Sequence, residues 1–206
     1  MSSKWKLYLS DKKNRSNFIF TIILLSIVLI SLPPFLSFIE LRDGFSFSDP
    51  ILRLFRPMDL TWFTFSLIYI GLITALITLS HYPKFLLLAL KVYAITGILR
   101  ICGMYLLPLA PPDSMIQLND PFVQFWGSGD ILTKDLFFSG HTSTVFIFFL
   151  TAQTKIMKRI FLIATVLVAF CVIVQHVHYS IDVFAAPFFA YAALRAAKWI
   201  DNVFEW

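Results

Sequence analysis

The sequence predicts an all-α integral membrane protein, a bundle of six transmembrane helices. Three observations predict it. Of its 206 residues, 58% are hydrophobic and 14% charged, with a mean hydropathy of +0.78; a soluble domain of that length has too little interior to hide so much apolar surface. The apolar residues fall in runs near or above the roughly 20 residues that cross a hydrocarbon core. Lys and Arg are also shared unevenly between alternate ends of those runs.

The first run, 18–39, follows the basic stretch from Lys4 to Arg15. It is too long for the apolar part of a signal peptide, and no small-residue cleavage site follows, so it is expected to be a retained span. Pro33 and Pro34 are expected to kink it near its end. Runs at 60–80, 85–107, 136–153, 160–176 and 179–199 complete the six. Residues 1–206 read as one transmembrane domain without internal repeat or low-complexity tract. The longest break, Pro108 to Asp135, carries Pro-Pro, glycine and four aspartates, Asp113, Asp120, Asp130 and Asp135. It reads as an ordered surface loop.

The charge pattern sets the orientation. With the N-terminus inside, eleven of the 17 Lys and Arg face the cytoplasm and four the opposite side, Arg42, Arg53, Arg56 and Lys134. Both termini are therefore expected in the cytoplasm, with the Pro108–Asp135 loop on the exoplasmic side. The formal net charge of +5 is an orientation signal and gives no reason to expect nucleic acid as a partner. The Asn14-Arg15-Ser16 sequon falls on the cytoplasmic side and is discounted. Cys102 and Cys171 lie inside predicted spans and read as packing residues. Lys91, within the third run, is expected to snorkel to the inner surface, and His81 to lie in an inner loop.

Three separated polar features meet at the exoplasmic end. Ser139-Gly140-His141-Thr142 opens the fourth run, where helix N-terminal N–H groups favour an anion. His178 and Asp182 open the sixth; four residues apart, they share one helical face. Asp182 can accept a hydrogen bond from His178 Nδ1 and leave Nε2 as a nucleophile, while His141 can protonate a leaving oxygen. Arg100 lies within the third run, about 10 Å below its outer end, and offers a planar fork to phosphate oxygens. A charge inside a span marks a cavity or a ligand, or else a buried ion pair. Together these groups describe a site for an anionic ester at the membrane surface.

These residues resemble the type 2 phosphatidic acid phosphatase superfamily of membrane lipid phosphatases and phosphotransferases, and within it the sphingomyelin-synthase-like branch. The resemblance rests on three ordered blocks between about residues 95 and 190. They are Asp135-Leu136-Phe137-Phe138-Ser139-Gly140-His141-Thr142, then His176-Val177-His178-Tyr179-Ser180-Ile181-Asp182-Val183, and the segment from Arg100 through Met104-Tyr105 to Leu107-Pro108. It implies a catalytic trio with His178 as nucleophile, Asp182 orienting it and His141 as acid and then base. Arg100, Ser139, Gly140, Thr142 and Asp135 would bind substrate, without metal or cofactor. The chain departs from the superfamily pattern in two places. Lys91 and Arg100 stand nine residues apart, wider than the superfamily's spacing, with Ile101 in place of a proline, and Cys171-Val172 stands in place of the Ser-Arg of the third motif.

The loss of two phosphate-binding cations favours a phosphodiester, which carries one negative charge, over a phosphomonoester carrying nearly two. The expectation is a lipid phosphotransferase that moves a phospho-head-group from a phosphodiester lipid to a lipid alcohol through a phosphohistidine. Its partners would be the bilayer and its lipids. The loop aspartates offer themselves to an ammonium head group, or are solvated loop charges. Two alternatives stand beside this reading: an exoplasmic lipid phosphatase acting on a phosphomonoester, and a non-enzymatic protein holding a metal on His141, His176, His178 and Asp182. The divergence of His176 and His178 on a helix argues against the second.

Overall fold

The computed structural model describes residues 3–54, 56–118 and 132–206. The loop aspartates Asp120 and Asp130 lie outside those residues. Among the described residues there are seven α-helices and no strand: α1 (Ser3–Ser10), α2 (Lys12–Glu40), α3 (Thr61–Ser80), α4 (Pro83–Leu106), α5 (Gly140–Thr151), α6 (Lys155–Val174) and α7 (Ser180–Val203). Five of them, α2, α3, α4, α6 and α7, are long and apolar enough to cross a membrane, which makes the chain a multi-pass membrane protein.

The expected fourth span differs. Residues 136–153 hold only the 12-residue α5, about 18 Å long against a hydrocarbon core of about 30 Å. The reason is local. Ser139 caps the helix in a non-helical conformation, its side chain accepting from the Thr142 N–H. The Phe138 carbonyl and the Ser139 N–H are drawn sideways to Arg100 and Asp182, so the ladder cannot extend backwards. At the other end Ala152 is extended and Thr154 already caps α6. The short helix is central: α5 touches α3, α4, α6 and α7. Val145, Phe148, Phe161, Val168 and Val172 form the core of one side. On the other, Ala190, Ala193 and Ala197 present a small-residue face of α7 next to Val92 and Ile147, the feature that lets helices approach closely without a hydrophobic drive.

The bundle has two polar ends. At one, Trp5 Nε1 donates to the Ser80 carbonyl at 2.8 Å, and Lys13 pairs with Glu205. Lys91 does not snorkel. It is fully buried, ion-paired with Asp201, and donates to Asn17 Oδ1 at 2.8 Å. The Phe20 and Trp206 rings, with centroids 5.8 and 4.7 Å from its Nζ, close off the route to water. Helix α2 runs as one helix to Glu40 with Pro33 and Pro34 inside it. Cys171 is buried, as a packing residue is expected to be, whereas Cys102 is exposed.

At the opposite end the connections are tied together. Phe45 and Leu109 form an isolated bridge. Glu40 accepts from the N–H groups of Thr133 and Lys134 at 2.9 and 3.0 Å, while Lys134 Nζ donates to the Glu40 carbonyl at 2.9 Å. Buried Asp49 accepts from the Ser180 N–H at 2.6 Å and from Ile51 at 2.8 Å, fixing the first turn of α7.

Two predictions follow from these ties. Asp201→Ala strands a buried ammonium and should destabilise the protein by about 3 kcal/mol or more, whereas Lys91→Leu with Asp201→Leu should recover most of the loss. Thermal melts in micelles measure both; equal melting of the parent and the single variant would refute the assignment. Burial acts to raise the Asp49 pKa, but the N–H donors of Ser180, Ile51 and Leu52 outweigh it and hold the carboxyl below its ordinary value. A depressed pKa means that the contribution is complete above the unfolded value of about 3.9 and is lost as pH falls through the folded one. The melting temperatures of the parent and Asp49→Asn should therefore differ at neutral pH and converge in strong acid.

Candidate active site

Four elements supply the site: the last third of α4, the start of α5, the α6–α7 connection and the first turn of α7. By the rise per residue, Arg100 lies about 9 Å below the end of α4. The start of the truncated α5 is correspondingly recessed. The shortness of α5 thus leaves room for polar groups within the bundle.

Arg100 is held on three sides. Its Nε donates to the Phe138 carbonyl at 3.1 Å, and Nη2 pairs with Asp135. The third side is Gly140. A Cβ there would lie 2.5 Å from Arg100 Nη1 and 2.6 Å from Cζ, so the guanidinium occupies the space a side chain would fill. Asp135, expected to bind substrate, is the partner of Arg100. The ion pair weighed for Arg100 is present, though partly exposed, and the guanidinium also lies beside the Ser-Gly-His block.

Ser139 and Thr142, both buried, are bound to each other. Ser139 Oγ donates to Thr142 Oγ1 at 3.1 Å and accepts from the Thr142 N–H at 3.3 Å. Their hydroxyls build the helix start. The Gly140 N–H, at the first helical position, has no intrahelical acceptor by construction and is the donor such a terminus offers to an anion.

His178 and Asp182 come together, but not as neighbours on a helical face. Helix α7 begins at Ser180 with Tyr179 as its cap, and His178 precedes it. Asp182, third in the helix, reaches back: Oδ2 accepts from the Tyr179 N–H at 3.1 Å and lies 3.7 Å from His178 Nδ1. That is an ion-pair distance and too long for a hydrogen bond. Both residues are buried. The Asp182 carbonyl accepts from the Ser139 N–H at 3.1 Å, which ties the start of α5 to the start of α7. The His141 and His178 rings consequently stand 5.8 Å apart, edge to face, with Phe65 5.9 Å from His141 on a further side. His178 Nε2 is buried without a hydrogen-bond partner.

His176 goes elsewhere. Its backbone is left-handed (φ 57°). Its N–H donates to the Ile173 carbonyl and that of Val177 to the Val172 carbonyl, at 2.9 and 3.0 Å, the paired bonds of a Schellman ending to α6. Its ring reaches Ser114, Nδ1 to Oγ 2.5 Å. Among the described residues no group of three or more His, Cys, Asp or Glu is placed to hold a metal, so the alternative ligand set of His141, His176, His178 and Asp182 is not assembled.

Glu40, Asp49 and the Phe138 carbonyl, none of them a candidate from the sequence, also help position the site. Only Asp49 carried a signal, the turn-forming Ser48-Asp49-Pro50.

No curated protein and no solved structure matches the chain. Residues 134–198 match the family described as PAP2 superfamily C-terminal, a segment that spans Asp135, the start of α5, His178 and Asp182 but not Arg100. That match, less than half of the chain and containing the paired histidines, supports membership of the PAP2 superfamily, a family of lipid phosphatase and phosphotransferase type.

Proposed function

We propose that this chain is a membrane lipid phosphotransferase that moves a phospho-head-group from a phosphodiester lipid to a lipid alcohol. The observation that carries the proposal is the pair of imidazoles 5.8 Å apart with the Asp182 carboxylate 3.7 Å behind one of them.

His178 Nε2 attacks phosphorus. The bond from phosphorus to the glyceride oxygen breaks as the N–P bond forms, and His141 delivers its proton to the departing oxygen. The His178 ring becomes cationic, and a carboxylate at ion-pair distance stabilises it in a low-dielectric surrounding. In the second half His141 takes the proton of the acceptor hydroxyl, whose oxygen displaces the imidazole from phosphorus. The resting trio is regenerated, with one diglyceride and one new phospholipid formed.

Charge supports a diester substrate. Asp135 neutralises Arg100, and Lys91 is committed to Asp201 at the far end of the bundle. The local donors are then one paired guanidinium and a helix N-terminus, which suit a single negative charge better than two. The basic residues from Lys4 to Arg15 stand at the end away from the site, so by the positive-inside rule the proposal puts both termini in the cytoplasm and the site on the exoplasmic side.

The product decides between transfer and hydrolysis. Liposomes holding the purified chain, head-group-labelled phosphatidylcholine or phosphatidylethanolamine, and ceramide or diacylglycerol should yield a new labelled phospholipid on chromatography. Consumption of phosphatidic acid alone, with release of inorganic phosphate, would instead establish the phosphatase.

Variants test the assigned roles. His178→Ala should abolish turnover, since no N–P bond can form, and His141→Ala should lower it about 10²–10⁴-fold. Gly140→Ala should keep the fold, because the guanidinium is the movable end of a long side chain. It should nevertheless cost about a hundredfold in rate by displacing that guanidinium. Full activity in Gly140→Ala would show that the position of Arg100 does not matter.

A further inference from the structure

Gln175, directly after α6, is fully buried, and every one of its polar groups is bonded. Its side-chain Oε1 accepts from the Leu60 N–H at 3.1 Å. Nε2 donates to Thr61 Oγ1 at 2.9 Å and reaches the Ile116 and Gln117 carbonyls at 3.3 and 3.4 Å. These partners fix which way the amide points, since an N–H can face only its oxygen and a carbonyl only its nitrogen. The backbone carbonyl accepts from the Ile116 N–H at 3.1 Å, and the backbone N–H donates to the Cys171 carbonyl at 2.9 Å. One residue therefore joins the entry to α3, residues 116–117 of the α4–α5 connection and the end of α6.

From this point two branches lead to the paired imidazoles. On α3, Thr61 and Phe65 are four residues apart and share a helical face. Phe65 is buried and stands edge-on to His141, with ring centroids 5.9 Å apart. On the other branch His178 follows Gln175 by three positions, across the left-handed His176. His141 thus meets a ring from each branch, Phe65 and, at 5.8 Å, His178. Leu60 caps α3 without a side-chain bond of its own, so the side-chain acceptor at this helix start comes from Gln175. Without the amide, the Leu60 N–H and the Thr61 hydroxyl lose a buried partner, and the start of α3 is freer to part from the turn that carries His178.

We propose that Gln175 is a positioning residue for the paired imidazoles, setting the separation of His141 and His178 through Phe65 on one side and the His176 turn on the other. The bonds just described run to backbone groups and to Thr61, so the effect passes through α3 and the turn. Alignment governs the rate of a transfer step more than the affinity for substrate. The effect on rate rests on the roles proposed for His178 and His141; the effect on the geometry of the two rings does not.

The test uses the full chain in maltoside micelles, its four histidines carrying a carbon-13 label in the ring, with signals assigned by replacing one histidine at a time with glutamine. Gln175→Met keeps the shape of the side chain and removes the amide. The ring signals of His141 and His178 should both shift in it, while that of His81, at the opposite end of the bundle beside Ser80, should not. In the product assay kcat should fall about tenfold to a hundredfold, with KM within about twofold of the parent. Thr61→Val removes only the hydroxyl acceptor and should act in the same direction but more weakly, and Thr61→Ser should restore the parent behaviour. If Gln175→Met fails to fold, Thr61→Val decides. Ring signals that stay in place in a folded variant, a fall in kcat without that shift, or a loss carried by KM alone overturns the proposal. A parent chain that turns over neither a phosphodiester nor a phosphomonoester lipid would remove the proposed function, and the ring signals, which need no substrate, would still decide this one.

Discussion

The start of α5 lies inside the bundle, and a backbone in apolar surroundings must find partners for every polar group. Three groups meet that demand. Arg100 supplies a donor to the Phe138 carbonyl, Ser139 caps the helix with its own side chain, and the Ser139 N–H donates to the Asp182 carbonyl. The same three contacts fix the guanidinium against Gly140, bring α5 to α7, and set His141 beside His178. Satisfying a buried helix terminus and assembling the candidate site are therefore one structural event. A full-length fourth span would need no such partners and would leave no recess.

Two ion pairs divide the charge of α4 between the ends of the bundle. Lys91 with Asp201 draws the start of α4 and the end of α7 together, and Arg100 with Asp135 holds the chain entering α5. Burial makes the first intolerant of losing its carboxylate, and the consequences of the two differ. The first is sealed by Phe20, Trp206 and Asn17. The second remains partly exposed and faces the open end of a helix, where charge can act on a ligand.

The α6–α7 connection serves two neighbouring places. The left-handed His176 reverses the chain within a few residues, so that His178 meets the start of α5 while His176 turns to Ser114. Tyr179 follows, held by its hydroxyl to the Ala110 carbonyl at 3.0 Å and stacked on Phe47. Asp49 then clamps Ser180. Residues 176–180 therefore join the end of α6 to the start of α7 through a run of backbone and side-chain hydrogen bonds.

Composition and the spacing of apolar runs were enough to identify a membrane bundle and to place its five long helices, though the first and the one after α5 begin six and five residues earlier than expected, because lipid demands length and apolarity that few other structures show. The polar blocks at 139–142 and 176–182 were legible for the same reason, as polar side chains stand out in apolar runs. What those blocks do to one another was not legible. That α5 stops short and that Lys91 is sealed in an ion pair depend on groups distant in sequence, Arg100, Asp182 and Asp201, and that Asp182 reaches His178 across a helix cap depends on where α7 starts. Periodicity reports which face of an element is apolar; it carries no information about which carbonyl or carboxylate a buried donor will meet. Tertiary packing alone decided that.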